Sequence, residues 1–286
     1  MSKAQKMALA RLQQPFLPLA RLLQILFLAG PFTKINDVLD ELNEPIECQC
    51  NYDDPQAAAA PYLHILQNFE YMKSAGSLDY TVIDEGGQQL DRMEALDCWL
   101  SQQILSHELA EINSLLCGSE HCDLCCIGPH ESARQEFFEI PLQESEKDMF
   151  TIPQINSTAS RSHSANGEKT LKQDGRPFYQ RDDPALFHWQ QGWSLILPRL
   201  ASCPQLDDKG RCLIYPQRPL VCRQPQIFPY LLESAAQQAE SDQPVFIARR
   251  KLLAIWDCPY VKKFQDQIAD YADLCGLETI FKENKA

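Results

Sequence analysis

The chain has 286 residues, which is long enough to bury a core in one large domain or in two smaller ones. Its composition, 44% hydrophobic and 23% charged, excludes a collagen-like or broadly disordered protein. The net charge of -13 argues against binding to a phosphate backbone, because that binding requires clustered lysine and arginine. We therefore expect no nucleic-acid partner.

The N-terminal segment is basic, unlike the rest of the chain, and no acidic residue precedes Asp37. Two helical segments divided by Gly30-Pro31 are predicted over the first 46 residues. The apolar run at 22–30 (LLQILFLAG) is shorter than the roughly 20 apolar residues that span a bilayer. We expect an amphipathic helix that packs on the body of a soluble, cytoplasmic protein, with contact to a membrane surface as the alternative.

The strongest helix prediction covers residues 88–116. Apolar residues recur there at three- and four-residue steps, which is typical of a helix with one buried stripe: Leu96, Leu100, Ile104, Leu105, Leu109, Ile112 and Leu116. The helix is predicted to end at Cys117-Gly118, where glycine can adopt a left-handed conformation. A short strand is predicted at 78–83, before the turn at Gly86-Gly87.

The C-terminal half is predicted to be helical between cysteine-bearing turns. The polar segment 151–182 is predicted to be a mobile insert. Asp183-Pro184 is predicted to start a helix that runs to about Leu197, and a final helix is predicted from Pro259 to Leu274. These elements predict a mainly α fold with few short strands. Its parts would be a helical N-terminal region, 1–116, and a cysteine-rich, metal-stapled domain, 117–286.

Twelve cysteines occur in the chain, and their spacing favours metal binding over disulfides. The first group is Cys117-x4-Cys122-x2-Cys125-Cys126, in which two neighbouring cysteines are awkward for disulfides that staple loops. On a strand, Cys125 and Cys126 would point to opposite sides, so convergence of the thiols requires a turn or a helix. Thiolates at this spacing suit tetrahedral zinc or the irons of a cluster.

A second group contains Cys203, Cys212 and Cys222 in the segments CPQL and GRCLIYPQRPLVCR. Pro216 and Pro219 stiffen the chain between the last two cysteines, which reduces the entropy lost when both bind one ion. Arginines stand beside the cysteines and are expected to offset the charge of the thiolates: Arg211, Arg218 and Arg223.

The motif CDLCC, followed by CP-x-L and GRCLIYPQRPLVCR, resembles the YkgJ-like CxxCxxCC cysteine-cluster proteins, described as a zinc- or iron-chelating domain. Flagellin lysine N-methylase is similar in this region. The resemblance covers roughly residues 117–260. It implies zinc or iron, including an iron–sulfur cluster, as the cofactor, and these ligands: Cys122, Cys125, Cys126, Cys203, Cys212, Cys222 and, in WDCP, Cys258.

One position departs from that pattern, because the residue three before Cys122 is Ser119. Either Cys117 reaches the centre through a bulge at Gly118, or another group such as His121 substitutes. We favour Cys117. The predicted metal ligands are therefore Cys117, Cys122, Cys125, Cys126, Cys203, Cys212, Cys222 and Cys258.

Four cysteines are left over. Cys98 and Cys275 lie in predicted helices and are expected to be buried as small apolar side chains. Cys48 and Cys50 form a C-x-C pair on an acidic stretch, for which an accessory site, a redox pair and free thiols are the alternatives. We favour free thiols.

The sequence predicts a metal-binding protein whose centre has a structural or electron-transfer role. An enzyme resembling protein-lysine methyltransferases and a zinc-stapled module that binds another protein are the alternatives. The sequence has no evident Ser/His/Asp array, Walker loop, dinucleotide fingerprint or HExxH motif. No catalytic residue is therefore predicted, and whether the chain is an enzyme stays open.

Overall fold

Helices and strands alternate along the chain in the computed structural model, which describes residues 1–74, 76–120, 122–223, 226–235 and 243–283. The helices are α1 (Lys3–Gln13), α2 (Leu17–Ala29), α3 (Ile35–Glu41), α4 (Pro55–Ala59), α5 (Leu63–Leu66), α6 (Glu70–Lys73), α7 (Arg92–Glu120), α8 (Thr158–Arg161), α9 (Leu220–Arg223), α10 (Pro259–Lys263) and α11 (Gln265–Leu274). The strands are β1 (Ile46–Glu47), β2 (Asn51–Tyr52), β3 (Thr81–Ile83), β4 (Phe137–Leu142), β5 (Gln154–Ile155), β6 (Lys172–Gln173), β7 (Arg176–Pro177), β8 (Ala185–Trp189), β9 (Gly192–Pro198), β10 (Ile227–Ser234), β11 (Val245–Ile255) and β12 (Glu278–Lys282). Short 3-10 helices cover Ala60–Tyr62, Gln67–Phe69, Lys147–Met149 and Tyr215–Gln217.

The prediction of a mainly α fold is wrong. The chain is about 39% helix and 22% strand, and the described residues form four sheets, so the fold is mixed α and β. The longest strands that the prediction missed, β9, β10 and β11, lie after residue 184, where turns and short helices were expected.

The chain divides into two compact units. The first combines residues 1–116 with 226–283, and the second contains residues 117–225. The predicted division placed everything from 117 to 286 in one domain. In the structure, the C-terminal segment instead folds with the N-terminal region.

Helix α7 is the main helix of the first unit, and its predicted apolar stripe is buried from Leu96 to Leu116. Two polar side chains on α7 bind the backbone of strand β10. Gln102 accepts a hydrogen bond from the Leu231 N–H at 3.0 Å, and Asn113 donates one to the Ile227 carbonyl at 2.7 Å. These contacts satisfy strand groups that would otherwise lack partners.

The sheet of the first unit is built around β11. Strand β10 pairs with it antiparallel, and β3 and β12 pair with it parallel at different positions along its length. Strand β3 confirms the strand predicted in 78–83, and α10 and α11 confirm the helical prediction near the C-terminus.

A buried carboxyl joins three segments of the first unit. Glu108 of α7 accepts hydrogen bonds from the Tyr271 hydroxyl at 2.6 Å, the Phe16 N–H at 2.9 Å and the Tyr62 hydroxyl at 3.3 Å. Burial raises the pKa of Glu108 to about 7, although these hydrogen bonds oppose the rise. This side chain therefore changes charge near neutral pH.

The second unit contains a sheet in the order β4-β9-β8-β5. Strands β8 and β9 form a tight hairpin in which Trp189 pairs with Gly192. This hairpin replaces the helix predicted from Asp183-Pro184, so that prediction is wrong. Both faces of the sheet are covered: Phe187 and Trp189 belong to one hydrophobic cluster, and Leu186 to another.

The segment predicted as an insert, 151–182, takes part in the first of these clusters. It contains short elements, α8 and the β6–β7 hairpin, and it contributes Leu171 and Phe178 to the core of the second unit. The sparse large apolar residues of this segment are therefore packing residues.

Within the described part of the chain, no single helix is long and apolar enough to cross a membrane. Helices α1 and α2 are long and apolar enough only when they are taken together, and this pair is bent by 42°.

Candidate metal centre

The CDLCC motif forms a turn, as convergence of its thiols requires. The Cys126 N–H donates to the Asp123 carbonyl at 2.7 Å, which closes the turn over 123–126. Cys122 and Cys126 are half-buried, and Cys125 is exposed.

Backbone pairing holds this turn against the segment before Cys203. Ile127 and Ser202 form an antiparallel bridge, the Cys203 N–H donates to the Cys126 carbonyl at 2.6 Å, and the Gly128 N–H donates to the Ala201 carbonyl at 2.8 Å. Cys126 and Cys203 are therefore neighbours across a short ladder.

Gly128 is required for that close approach. A β-carbon at this position would lie 1.7 Å from the carbonyl oxygen of Pro198, which is a backbone atom and cannot swing aside. Only glycine lets the two backbones approach this closely. The sequence analysis did not identify Gly128, because nothing local distinguishes it from a loop glycine.

Cys203 and Cys212 lie on the two arms of a second small hairpin. Leu206 bridges Cys212, and the Leu213 N–H donates to the Gln205 carbonyl at 2.8 Å. At the tip, the Asp207 carboxylate accepts hydrogen bonds from the Arg211 N–H at 2.8 Å and from the Arg211 Nε at 2.9 Å.

These hydrogen bonds from Arg211 lower the pKa of Asp207. The Arg211 guanidinium therefore pairs with Asp207 in the structure, and not with a thiolate as expected. Gly210 closes the tip with a φ of +71°, in the region that favours glycine.

Cys203 also connects the site to the sheet. Its side chain packs, partly buried, against the cluster formed by Leu186, Trp193 and Leu195. The rigid sheet of the second unit therefore supports this thiol from behind.

Cys222 lies in the short helix α9, which a buried glutamate fixes in place. Glu146 accepts hydrogen bonds from the Leu220 N–H and from the Gln143 N–H, at 2.8 and 2.9 Å. Its side chain is only 7% exposed. Sequence reasoning missed Glu146 because it lies more than seventy positions from the helix that it anchors.

A buried arginine stands beside Cys222. Arg218 is 6% exposed, and its guanidinium carbon lies 4.1 Å from the centre of the Tyr215 ring. Its positive charge acts against the rise in the pKa of Cys222. The Arg223 Nε donates to the Arg218 carbonyl at 2.8 Å, so Arg223 supports the backbone here.

The thiols from these three segments lie near enough to affect one another's charge. Burial raises the pKa of Cys126, and the thiols of Cys203, Cys125, Cys222 and Cys212 raise it further. Burial likewise raises the pKa of Cys222 to about 12, and both burial and Cys212 raise the pKa of Cys203. Such a group ionises readily only with a cation, so its chemistry fits a metal that binds thiolates.

The thiols are close but do not form a finished coordination sphere. Among the described residues, no three His, Cys, Asp or Glu side chains are arranged as a closed set of metal ligands.

The first predicted ligand, Cys117, lies in the last turn of α7, which runs on to Glu120, four residues past the helix predicted over 88–116. Gly118 does not terminate the helix. A β-carbon there would lie 2.6 Å from the Tyr215 hydroxyl, so this glycine makes room for the tyrosine. Burial raises the pKa of this tyrosine, and the neighbouring Cys117 adds to the rise. Its role as a ligand stays a prediction, and the alternative ligand His121 lies outside the described residues.

Cys258 is assigned to the first unit, where it is buried at the start of α10. Its role as a ligand stays a prediction. Cys98 and Cys275 are 3% and 0% exposed, which confirms that they are buried.

Residues 116–244 match the model of the CxxCxxCC family, whose description is "Putative zinc- or iron-chelating domain". This match confirms the resemblance stated from the motifs. Comparisons with curated proteins and with solved structures gave no significant match.

Proposed function

We propose that the second unit, whose residues 117–225 lie within the match to the CxxCxxCC family model, is a zinc- or iron-binding module in which the metal has a structural role. The observation that carries this proposal is the proximity of thiols from three separate segments: the 123–126 turn, the 203–213 hairpin and α9. In the described structure, these segments contain no named helix or strand apart from the four-residue helix α9. A metal that joins them would contribute directly to their folding.

Four thiols form the proposed core of the centre: Cys126, Cys203, Cys212 and Cys222. After burial, which is the largest cause, Cys212 contributes to the raised pKa of each of the other three members, and Cys203 contributes to that of Cys126 and Cys222. Four thiolates complete a tetrahedral site for zinc or iron. Arg218 would offset part of the negative charge that four thiolates and one divalent ion carry.

The experiment measures metal content, absorption and thermal unfolding on one anaerobic preparation. A structural zinc site predicts colourless protein with bound zinc, and a large fall in melting temperature when a chelator removes it. Broad absorption at about 400 nm together with bound iron would indicate an iron–sulfur cluster, and it would favour a role in electron transfer over a structural role. Protein that binds neither metal, or whose unfolding is indifferent to the chelator, would contradict the structural role.

The ratio of metal to protein also decides how many centres exist. One ion per chain is the expectation for the four-thiol core. Ligand roles for Cys117, Cys122, Cys125 and Cys258 stay predictions. Four further expectations also stay predictions: methyl transfer to protein lysines, a protein partner, contact of the N-terminal segment with a membrane surface, and a cytoplasmic location.

A further inference from the structure

A second group of thiols lies in the first unit, on the hairpin formed by β1 and β2. The register pairs Ile46 with Tyr52 and Glu47 with Asn51, so Cys48 and Cys50 are opposite each other with one residue between them. The Cys48 N–H donates to the Cys50 carbonyl at 3.0 Å. Two residues separated by one other have Cα atoms at most about 7 Å apart even in an extended chain, and the turn brings these two closer, into the range that a disulfide spans.

The two thiols differ in their surroundings. Cys48 is exposed. Cys50 is half-buried, and its sulfur lies 3.8 Å from the Gln13 carbonyl oxygen as a weak donor. The Tyr52 hydroxyl lies close to this sulfur, and it donates its proton to the Pro15 carbonyl at 2.5 Å. Cys50 is therefore held in place, while Cys48 is open to reagents.

Both thiols are chemically suited to a sequential reaction. Burial raises the pKa of Cys50, and the Cys48 thiol adds to the rise, so Cys50 keeps its proton. Cys48 is the more exposed of the two thiols, so an external reagent reaches it first. Two thiols alone do not complete a tetrahedral site, whereas they are all that a disulfide needs.

We propose that Cys48 and Cys50 form a dithiol that exchanges with low-molecular-weight disulfides, through their placement as opposite residues of an exposed hairpin. The Cys48 thiolate attacks one sulfur of the external disulfide, which forms a mixed disulfide and releases one small thiol. The Cys50 sulfur then attacks the Cys48 sulfur, breaks the mixed disulfide and releases the second small thiol. Two protein thiols lose two electrons and two protons, and the external disulfide gains both.

Trypsin gives a direct readout of this reaction. Cleavage after Lys34 and Lys73 yields the peptide 35–73, which contains Cys48 and Cys50 and no other cysteine. The full-length, metal-containing protein is incubated with glutathione disulfide, quenched with acid, alkylated and digested. The intramolecular disulfide lowers the mass of this peptide by about 2 Da and blocks both alkylations.

The expected product is the intramolecular disulfide, in excess over mixed disulfides by on the order of tenfold or more, because the second thiol is held near the first. Cys50→Ser should stop the reaction at a mixed disulfide on Cys48. The matched control Cys98→Ser should leave the result for this peptide unchanged. A peptide that stays reduced, or that carries only glutathione adducts in the wild-type protein, would overturn the proposal. Metal content does not enter this readout, so failure here is separate from failure of the proposed metal centre.

Discussion

Replacement of Gly128 by alanine tests the backbone pairing that joins two of the proposed ligands. The new β-carbon would lie 1.7 Å from the Pro198 carbonyl oxygen, so the backbone has to separate. That movement breaks the hydrogen bond from Gly128 to Ala201 and the one from Cys203 to Cys126. Each such bond contributes about 1 kcal/mol, and overpacking adds about 1–3 kcal/mol, so we expect a loss of about 3–5 kcal/mol in the free energy of unfolding of the second unit.

Denaturant unfolding of the metal-loaded protein measures this loss, and competition with a coloured chelator measures metal affinity on the same sample. Because binding and folding are coupled in such sites, we expect metal affinity to fall by on the order of tenfold or more. Gly76→Ala is the matched control, since a β-carbon at Gly76 meets nothing within 4 Å. Wild-type unfolding and wild-type metal affinity in Gly128→Ala would refute the role of this pairing.

Three further substitutions test other parts of the structure. Because the pKa of Glu108 is raised from 4.5 to about 7, the folded chain binds this proton more tightly than the unfolded chain. The free energy of unfolding should therefore fall by about 3 kcal/mol between about pH 4.5 and 7. Glu108→Gln should remove that fall in urea titrations across this pH range. Gly118→Ala should displace Tyr215, costing about 1–3 kcal/mol, and quench or shift tyrosine fluorescence. Arg218→Gln should weaken metal binding by on the order of tenfold in chelator competition, because it removes the buried cation beside Cys222.

Each of these predictions has an outcome that contradicts it. An identical pH dependence in the wild-type protein and Glu108→Gln would show that another group is responsible. Unchanged stability of Gly118→Ala would show that Tyr215 does not need the space. For Arg218→Gln, metal affinity equal to that of the wild-type protein would exclude the proposed charge compensation.

The best sequence predictions came from strictly local signals. The apolar stripe from Leu96 to Leu116 is one continuous face, so it identified α7, although the helix runs on to Glu120. The adjacency of Cys125 and Cys126 required a turn, and the 123–126 turn is present.

The hairpin of β8 and β9 was missed because both its faces are buried. Its strands read as continuous apolar runs, ALFHW and GWSLILP, which lack the alternation of a strand with one solvent face. The preceding Asp183-Pro184 imitated a helix start. A better signal was the glycine at position 192, which directly follows the two-residue turn of the hairpin. Its φ of +118° lies in the region that favours glycine.

Contacts between distant parts of the chain also could not be predicted. Strand β11 carries Arg249 and Lys251, and in the structure Glu233 pairs with Arg249 and Glu85 with Lys251. These partners come from other segments, so no local pattern announces them. The arginines of the cysteine motifs show the same limit, since only Arg218 stands beside a thiol as expected, whereas Arg211 pairs with Asp207.

The central claim is that thiols of the second unit bind a metal, and metal content of matched cysteine variants tests it most directly. Metal per chain is measured on anaerobically purified wild-type protein, Cys126→Ser, Cys222→Ser and the buried control Cys98→Ser. We expect the wild-type protein and Cys98→Ser to carry the same amount of zinc or iron, and both other variants to lose most of it. Equal metal content in all four proteins would contradict the assignment of this centre.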